Sequence, residues 1–140
     1  MTKHLIQLFF SLVLFTSASM CMADVPLSAA LNENISVTGQ MTTDKFKALM
    51  QQGFKSVIVN RPDHEQGNLT SANELRGIAE KSRISLIYQP VNSGQISETD
   101  VQEFAKYYNS LPKPILLVCK SGSRSTVLFN QAKSAGLLNE

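Results

Sequence analysis

The chain has 140 residues, with 13 Lys plus Arg against 11 Asp plus Glu and a formal charge of +2. So small an imbalance excludes a strongly basic nucleic-acid-binding surface or a polybasic membrane-surface stretch as the organising feature. Two cysteines and two histidines without ligand spacing exclude a disulfide scaffold and give no metal site, so neither metal nor cofactor is expected.

Lys3, the apolar run from Leu5 to Leu14, and the stretch Ser17-Ala18-Ser19-Met20-Cys21-Met22-Ala23 form the three zones of a secretory signal peptide over residues 1–23. The apolar run is too short to span a bilayer comfortably. The bulky Met20 ahead of Cys21 argues against lipid attachment there. The expectation is export across the inner membrane to the periplasm, with no membrane partner after cleavage. Removing this segment takes Cys21 with it and leaves Cys119 as a lone thiol. In an oxidising compartment such a thiol calls for shielding or a thiol-reducing partner.

Residues 24–34 read as a polar linker, and the folded domain is expected over residues 35–140. Ile35-Ser36-Val37-Thr38 alternates as a short strand and Gly39 ends it. Thr42 or Thr43 then caps a helix bearing Phe46, Leu49 and Met50 on one face, closed by Gly53. Val57-Ile58-Val59 is a buried strand, stopped by the turn at Arg61-Pro62-Asp63. Ser71 and Glu74 are spaced as a capping box before Leu75, Ile78 and Ala79. A strand follows over residues 84–88. Ser97 and Asp100 open the best-patterned helix, with Val101, Phe104, Ala105, Tyr108 and Leu111 at three- and four-residue steps, and Pro112 and Pro114 end it. The strand Ile115-Leu116-Leu117-Val118 and a last helix with Leu128, Ala132 and Ala135, stopped at Gly136, complete the chain.

Strands separated by helices predict an α/β domain with a mostly parallel sheet of four to five strands covered on both faces. In such sheets ligands bind beyond the carboxyl ends of the strands. That rule nominates Cys119 after the last strand, Arg61, Asp63 and Glu65 after the second, and Asn92 after the third. His64 reads as a solvated loop residue.

Cys119-Lys120-Ser121-Gly122-Ser123-Arg124-Ser125 sits where a strand ends and a helix begins. Small residues there let consecutive backbone N–H groups turn inward, and a helix N-terminus adds partial positive charge, so the loop suits an oxyanion. A cysteine at a helix N-terminus beside Arg or Lys is a reactive nucleophile. The alternative is a small buried hydrophobe at a strand end. Arg124 favours the first reading, because its guanidinium offers paired donors matched to phosphate or sulfate oxygens. Cys119 and Arg124 are thus the candidate catalytic pair. Lys120, Ser121, Gly122, Ser123 and Ser125 are the anion-binding candidates, with Arg61 and Asp63 as auxiliaries. Ser125 has two candidate roles, donor to the thiolate or cap of the helix.

Four ordered blocks then resemble the beta-lactamase hydrolase-like phosphatase-like domain family, a branch of the protein tyrosine phosphatase superfamily. They are Ser36-Val37-Thr38-Gly39-Gln40, the run from Gly53 to Glu65, Tyr88-Gln89-Pro90-Val91, and Val118 to Ser125. The resemblance implies a three-layer α/β/α fold with the cysteine loop as active site, and a small anionic or phosphorylated substrate. It also implies a general acid some 30 residues before the cysteine, where this chain has Asn92. Asp63, Glu65 and Asp100 are the carboxylates that could stand in. Tyrosine phosphatases resemble one another in placing five residues between cysteine and arginine, usually with a histidine before the cysteine, whereas this chain has four and Val118 before the cysteine. That spacing is similar to rhodanese-type sulfurtransferases, whose thiolate takes a sulfane sulfur from a donor as a persulfide. A non-catalytic anion-binding or redox-sensing module is the third reading.

Overall fold

The computed structural model describes residues 25–140, so the signal-peptide expectation and Cys21 lie outside the described residues. Five strands and four helices follow one another as β1 (Ala29–Asn32), β2 (Ile35–Thr38), α1 (Thr43–Leu49), β3 (Ser56–Val59), α2 (Ala72–Lys81), β4 (Ser85–Tyr88), α3 (Glu98–Ser110), β5 (Ile115–Val118) and α4 (Ser123–Ser134). They form a single sheet in the order β1-β2-β5-β3-β4. β1 runs antiparallel to β2, and the remaining pairs are parallel.

β1 corrects the linker expected over residues 24–34. Ala29 to Asn32 has no hydrophobic alternation, and its two alanines are exposed. What makes it a strand is backbone pairing with β2 across a tight connection in which Asn32 Oδ1 accepts the Asn34 N–H at 2.7 Å. Pairing of that kind is invisible to a side-chain pattern.

The sheet alternation sorts the apolar residues onto its two faces. Ile35, Val37, Ile58, Ile115 and Leu117 face α3 and α4, where Phe104, Tyr108, Leu128 and Phe129 meet them. Val57, Val59, Leu116 and Val118 face α1 and α2 and meet Phe46, Leu49, Leu75 and Ala79. β3 and β5 are buried along their whole length, as central parallel strands covered on both sides must be.

Helix starts follow the caps read from the sequence. Thr42 accepts the Lys45 N–H, Ser71 accepts the Glu74 N–H, and Ser97 with Asp100 closes a full capping box. At the other end of the parallel strands the register is level, because Thr38 and Val59 both lie opposite Val118, and Tyr88 lies opposite Val59. The ladder runs one step further, with Cys119 N–H donating to Thr38 O, Asn60 N–H to Val118 O and Gln89 N–H to Val59 O. Gly39, Cys119, Asn60 and Gln89 therefore leave the sheet in one row.

Phe104 is fully buried between the sheet and the neighbouring Tyr108 ring. Phe104→Ala is expected to lower unfolding free energy by about 3–5 kcal/mol, and Val127→Ala, at an exposed site on α4, to change it by less than about 0.5 kcal/mol. Denaturant unfolding of both variants checks the contrast.

Candidate active site

Cys119 leaves β5 with only 1% of its surface exposed, and its Sγ accepts the Gly122 N–H at 2.9 Å. That closure requires Gly122 in the left-handed region at φ +90°, where other residues are strained. The loop is also pressed from the side by the end of β2. A Cβ on Gly39 would stand 2.8 Å from Lys120 O and 3.1 Å from Ser121 Cα, so only glycine admits the loop there.

Gly122 is also the N-cap of α4, and it has no side chain to satisfy the helix. The other three helices have their first turns capped by Thr42, Ser71 and Ser97. The first N–H groups of α4, in Ser123, Arg124 and Ser125, are therefore left with the positive end of the helix facing the loop.

Arg124 is 6% exposed and is held from three directions. Its Nη1 donates to Val91 O at 2.9 Å and to Asn60 O at 3.4 Å, and its Nη2 donates to the Glu65 carboxylate at 3.0 and 2.8 Å. Nε is buried and has no hydrogen-bond partner among the described residues. An orphaned buried donor on a charged group is costly, and here it belongs to the residue that shares the loop with Cys119. Beside it, a cavity of about 350 Å³ opens between Ser93, Gly94 and Ile96 on one side and Ser123, Arg124 and Val127 on the other.

A family model for the phosphatase-like domain of beta-lactamase hydrolase-like proteins matches residues 28–136. The chain belongs to this family. A beta-lactamase hydrolase-like protein of Xylella fastidiosa strain Temecula1 is 30% identical over 99 residues, which are 71% of this chain and 23% of that protein. The chain thus spans about a quarter of the length of the curated relatives it matches. A solved structure provisionally described as a phosphatase, from Neisseria meningitidis Z2491, has a TM-score of 0.73 at 25% identity and covers 80% of both chains. Tk-PTP in its active form shares the fold, with a TM-score of 0.55 at 16% identity over 77% of this chain and 81% of that one.

The phosphatase-like domain sets the Glu65 carboxylate against Arg124 and Arg61, and Arg124 shares its loop with Cys119. Two of the carboxylates considered as stand-in acids, one of them the auxiliary candidate Asp63, serve helix starts instead. Asp63 points its Oδ1 at the Ala72 N–H, 2.8 Å away, and so serves the start of α2. Asp100 Oδ2 accepts the Ser97 N–H in the capping box of α3. With Glu65 committed to Arg124, all three carboxylates considered as general acids are engaged elsewhere. Asn92 is exposed on the loop after β4, as is His64 on the loop after β3.

Ser125 takes neither of the roles expected for it. It is fully buried and donates to Asn60 Oδ1 at 2.8 Å, while Gly122 occupies the cap position. Lys120, Ser121 and Ser123 have exposed side chains, and Ser121 Oγ donates to Ser123 Oγ at 3.1 Å.

Three residues of the site carried no expected role. Asn60 is fully buried; its Oδ1 receives Ser125, its Nδ2 donates to Gln89 O, and its carbonyl oxygen receives the Val91 N–H. Gly39 and Gln40 follow β2, and Gln40 reaches the loop after β3. A polar residue directly after a buried strand was the available signal for Asn60.

The hydrogen bond from Arg124 holds the Glu65 carboxyl below the usual glutamate range, helped by the charges of Arg124 and Arg61 against the opposing effect of burial. A depressed folded-state value means that Glu65 contributes stability which is present above the unfolded value and lost as pH falls through the folded one. Unfolding measured from pH 7 downward is expected to show this loss beginning near about pH 4.3, the ordinary glutamate value. Glu65→Gln is expected to be less stable at neutral pH and to lack that part of the acid dependence.

Proposed function

We propose that this domain hydrolyses phosphate monoesters through a cysteinyl-phosphate intermediate. The observation that carries the reading is the buried Arg124 Nε–H without a partner, in the same loop as the uncapped start of α4 and the Cys119 sulfur. An orphaned donor, free helix amides and a thiol within one seven-residue loop fit an anion undergoing nucleophilic attack.

In this reading the Cys119 thiolate attacks phosphorus, forming the S–P bond as the P–O bond to the leaving group breaks. Arg124 and the loop amides carry the charge on the equatorial oxygens. Water then attacks the cysteinyl phosphate, releasing inorganic phosphate and restoring the thiolate. With Asp63, Asp100 and Glu65 engaged, the leaving oxygen takes its proton from solvent. Substrates with acidic leaving groups suit such a site, because general acid catalysis is worth about 100- to 10,000-fold where it operates. The reading of residues 1–23 as an export signal places this chemistry in the periplasm, with a thiol-reducing partner to keep Cys119 active.

A second reading is favoured by the four residues between Cys119 and Arg124, in place of the five expected of tyrosine phosphatases. In it, the Cys119 thiolate attacks the outer sulfur of a donor such as thiosulfate, the new S–S bond forming as the donor's S–S bond breaks and sulfite leaves, and the Gly122 N–H stabilises the persulfide.

Para-nitrophenyl phosphate decides the first reading, since its leaving group needs little protonation. Turnover is expected to vanish in Cys119→Ser, and kcat/KM to fall by about 100- to 1,000-fold in Arg124→Ala, the usual cost of one lost oxyanion donor. No turnover above the Cys119→Ser control sinks the hydrolase reading. Thiocyanate from thiosulfate and cyanide, with a persulfide mass on Cys119, would establish the second instead.

A further inference from the structure

We infer that Arg61 is a positioning residue for the proposed reaction, fixing the Glu65 carboxylate against which the Arg124 guanidinium is aligned. The inference rests on the reading of Arg124 as the anion clamp.

Arg61 is 3% exposed and every nitrogen of its guanidinium is engaged. Nε donates to Glu65 Oε1 at 3.1 Å, Nη1 to Gln40 Oε1 at 2.6 Å and Nη2 to Gln66 O at 3.0 Å. All three nitrogens of this cation are bound to protein groups, so it acts through what it holds. One of those partners is the carboxylate that binds Arg124 Nη2 through both oxygens. Another is Gln40, whose Nε2 donates to Gly67 O at 2.9 Å and which directly follows Gly39, the residue pressed against the cysteine loop. A single buried cation therefore ties the end of β2 and the loop after β3 to the group that orients Arg124.

Two physical consequences follow. Glu65 is 22% exposed on a loop, where a carboxylate bound only to Arg124 would move with it; the second guanidinium restricts its rotamers. The charge balance also changes, because one carboxylate shared by two guanidinium groups leaves a net positive charge beside the anion loop. A Glu65–Arg124 pair alone would be neutral. Lysine cannot reproduce the arrangement, since one ammonium nitrogen does not span Glu65, Gln40 and Gln66 as a planar fork does.

The test is a double-mutant cycle on the purified protein, read by binding of inorganic phosphate and vanadate and by kcat and KM for para-nitrophenyl phosphate. Arg61→Gln is expected to weaken anion binding and to lower kcat/KM, each by about tenfold or more, a coupling typical of groups sharing one ion-pair network. Arg61→Lys is expected to recover only part of the loss. In an Arg124→Ala background, Arg61→Gln is expected to cost anion binding a clearly smaller factor than it does with Arg124 present, the remainder being the loss of one positive charge beside the loop. An equal loss in both backgrounds overturns the inference, because it shows Arg61 acting on general loop stability rather than through Arg124. Thermal melts establish that each variant is folded; if Arg61→Gln is not, Arg61→Lys carries the same cycle. Anion binding without turnover sinks the hydrolase reading alone and leaves the cycle decisive for Arg61. If neither phosphate nor vanadate binds, both readings fall.

Discussion

Burying an arginine costs several kcal/mol unless its charge and its donors are matched, and Arg124 is buried where three chain segments meet. Glu65 supplies the counter-charge, and the Val91 and Asn60 carbonyls take Nη1. To place those acceptors, the loop after β3 and the segment after β4 must both reach the start of α4. The layout of the site is in this sense a consequence of solvating one guanidinium without water. The remaining donor, Nε, is the part of that requirement the protein leaves unmet.

The level ends of the parallel strands make such a meeting point available. With Thr38, Val118, Val59 and Tyr88 in register, the next residues emerge side by side, and small changes in side chain decide what each does. Gly39 lets backbone approach backbone, Asn60 bonds the strand ends to α4, and Cys119 turns its sulfur toward the Gly122 N–H. Three helices close their N-termini with their own hydroxyl caps, whereas α4 begins at a glycine. A side-chain cap at that position would occupy the donors that the proposed anion would use.

Membership of the phosphatase-like family accounts for the fold, and the details of this chain set the demands on its chemistry. Carboxylates near the strand ends serve structure here: Asp63 and Asp100 steady helix starts, and Glu65 steadies two arginines. In the proposed reaction, a site so built would take the departing proton from the substrate or from water. Because the chain spans only about a quarter of the curated relatives it matches, any activity of those longer proteins concerns more than this domain.

Hydrophobic spacing and capping residues determined the order of the helices and of β2 to β5, because period and caps are local properties. They also determined the thiol–arginine loop, since Cys119, Gly122 and Arg124 lie within one short stretch between a strand and a helix. Tertiary structure alone decided the rest. β1 exists through backbone pairing rather than pattern. Ser125 bonds Asn60, 65 positions away in the chain, and Asp63 caps a helix that begins nine residues later. Glu65 was one carboxylate among three until folding set it against Arg124 and Arg61. Each of these outcomes depends on partners distant in the chain, and a side chain's role is settled by the donor or charge that folding brings within about 3 Å of it.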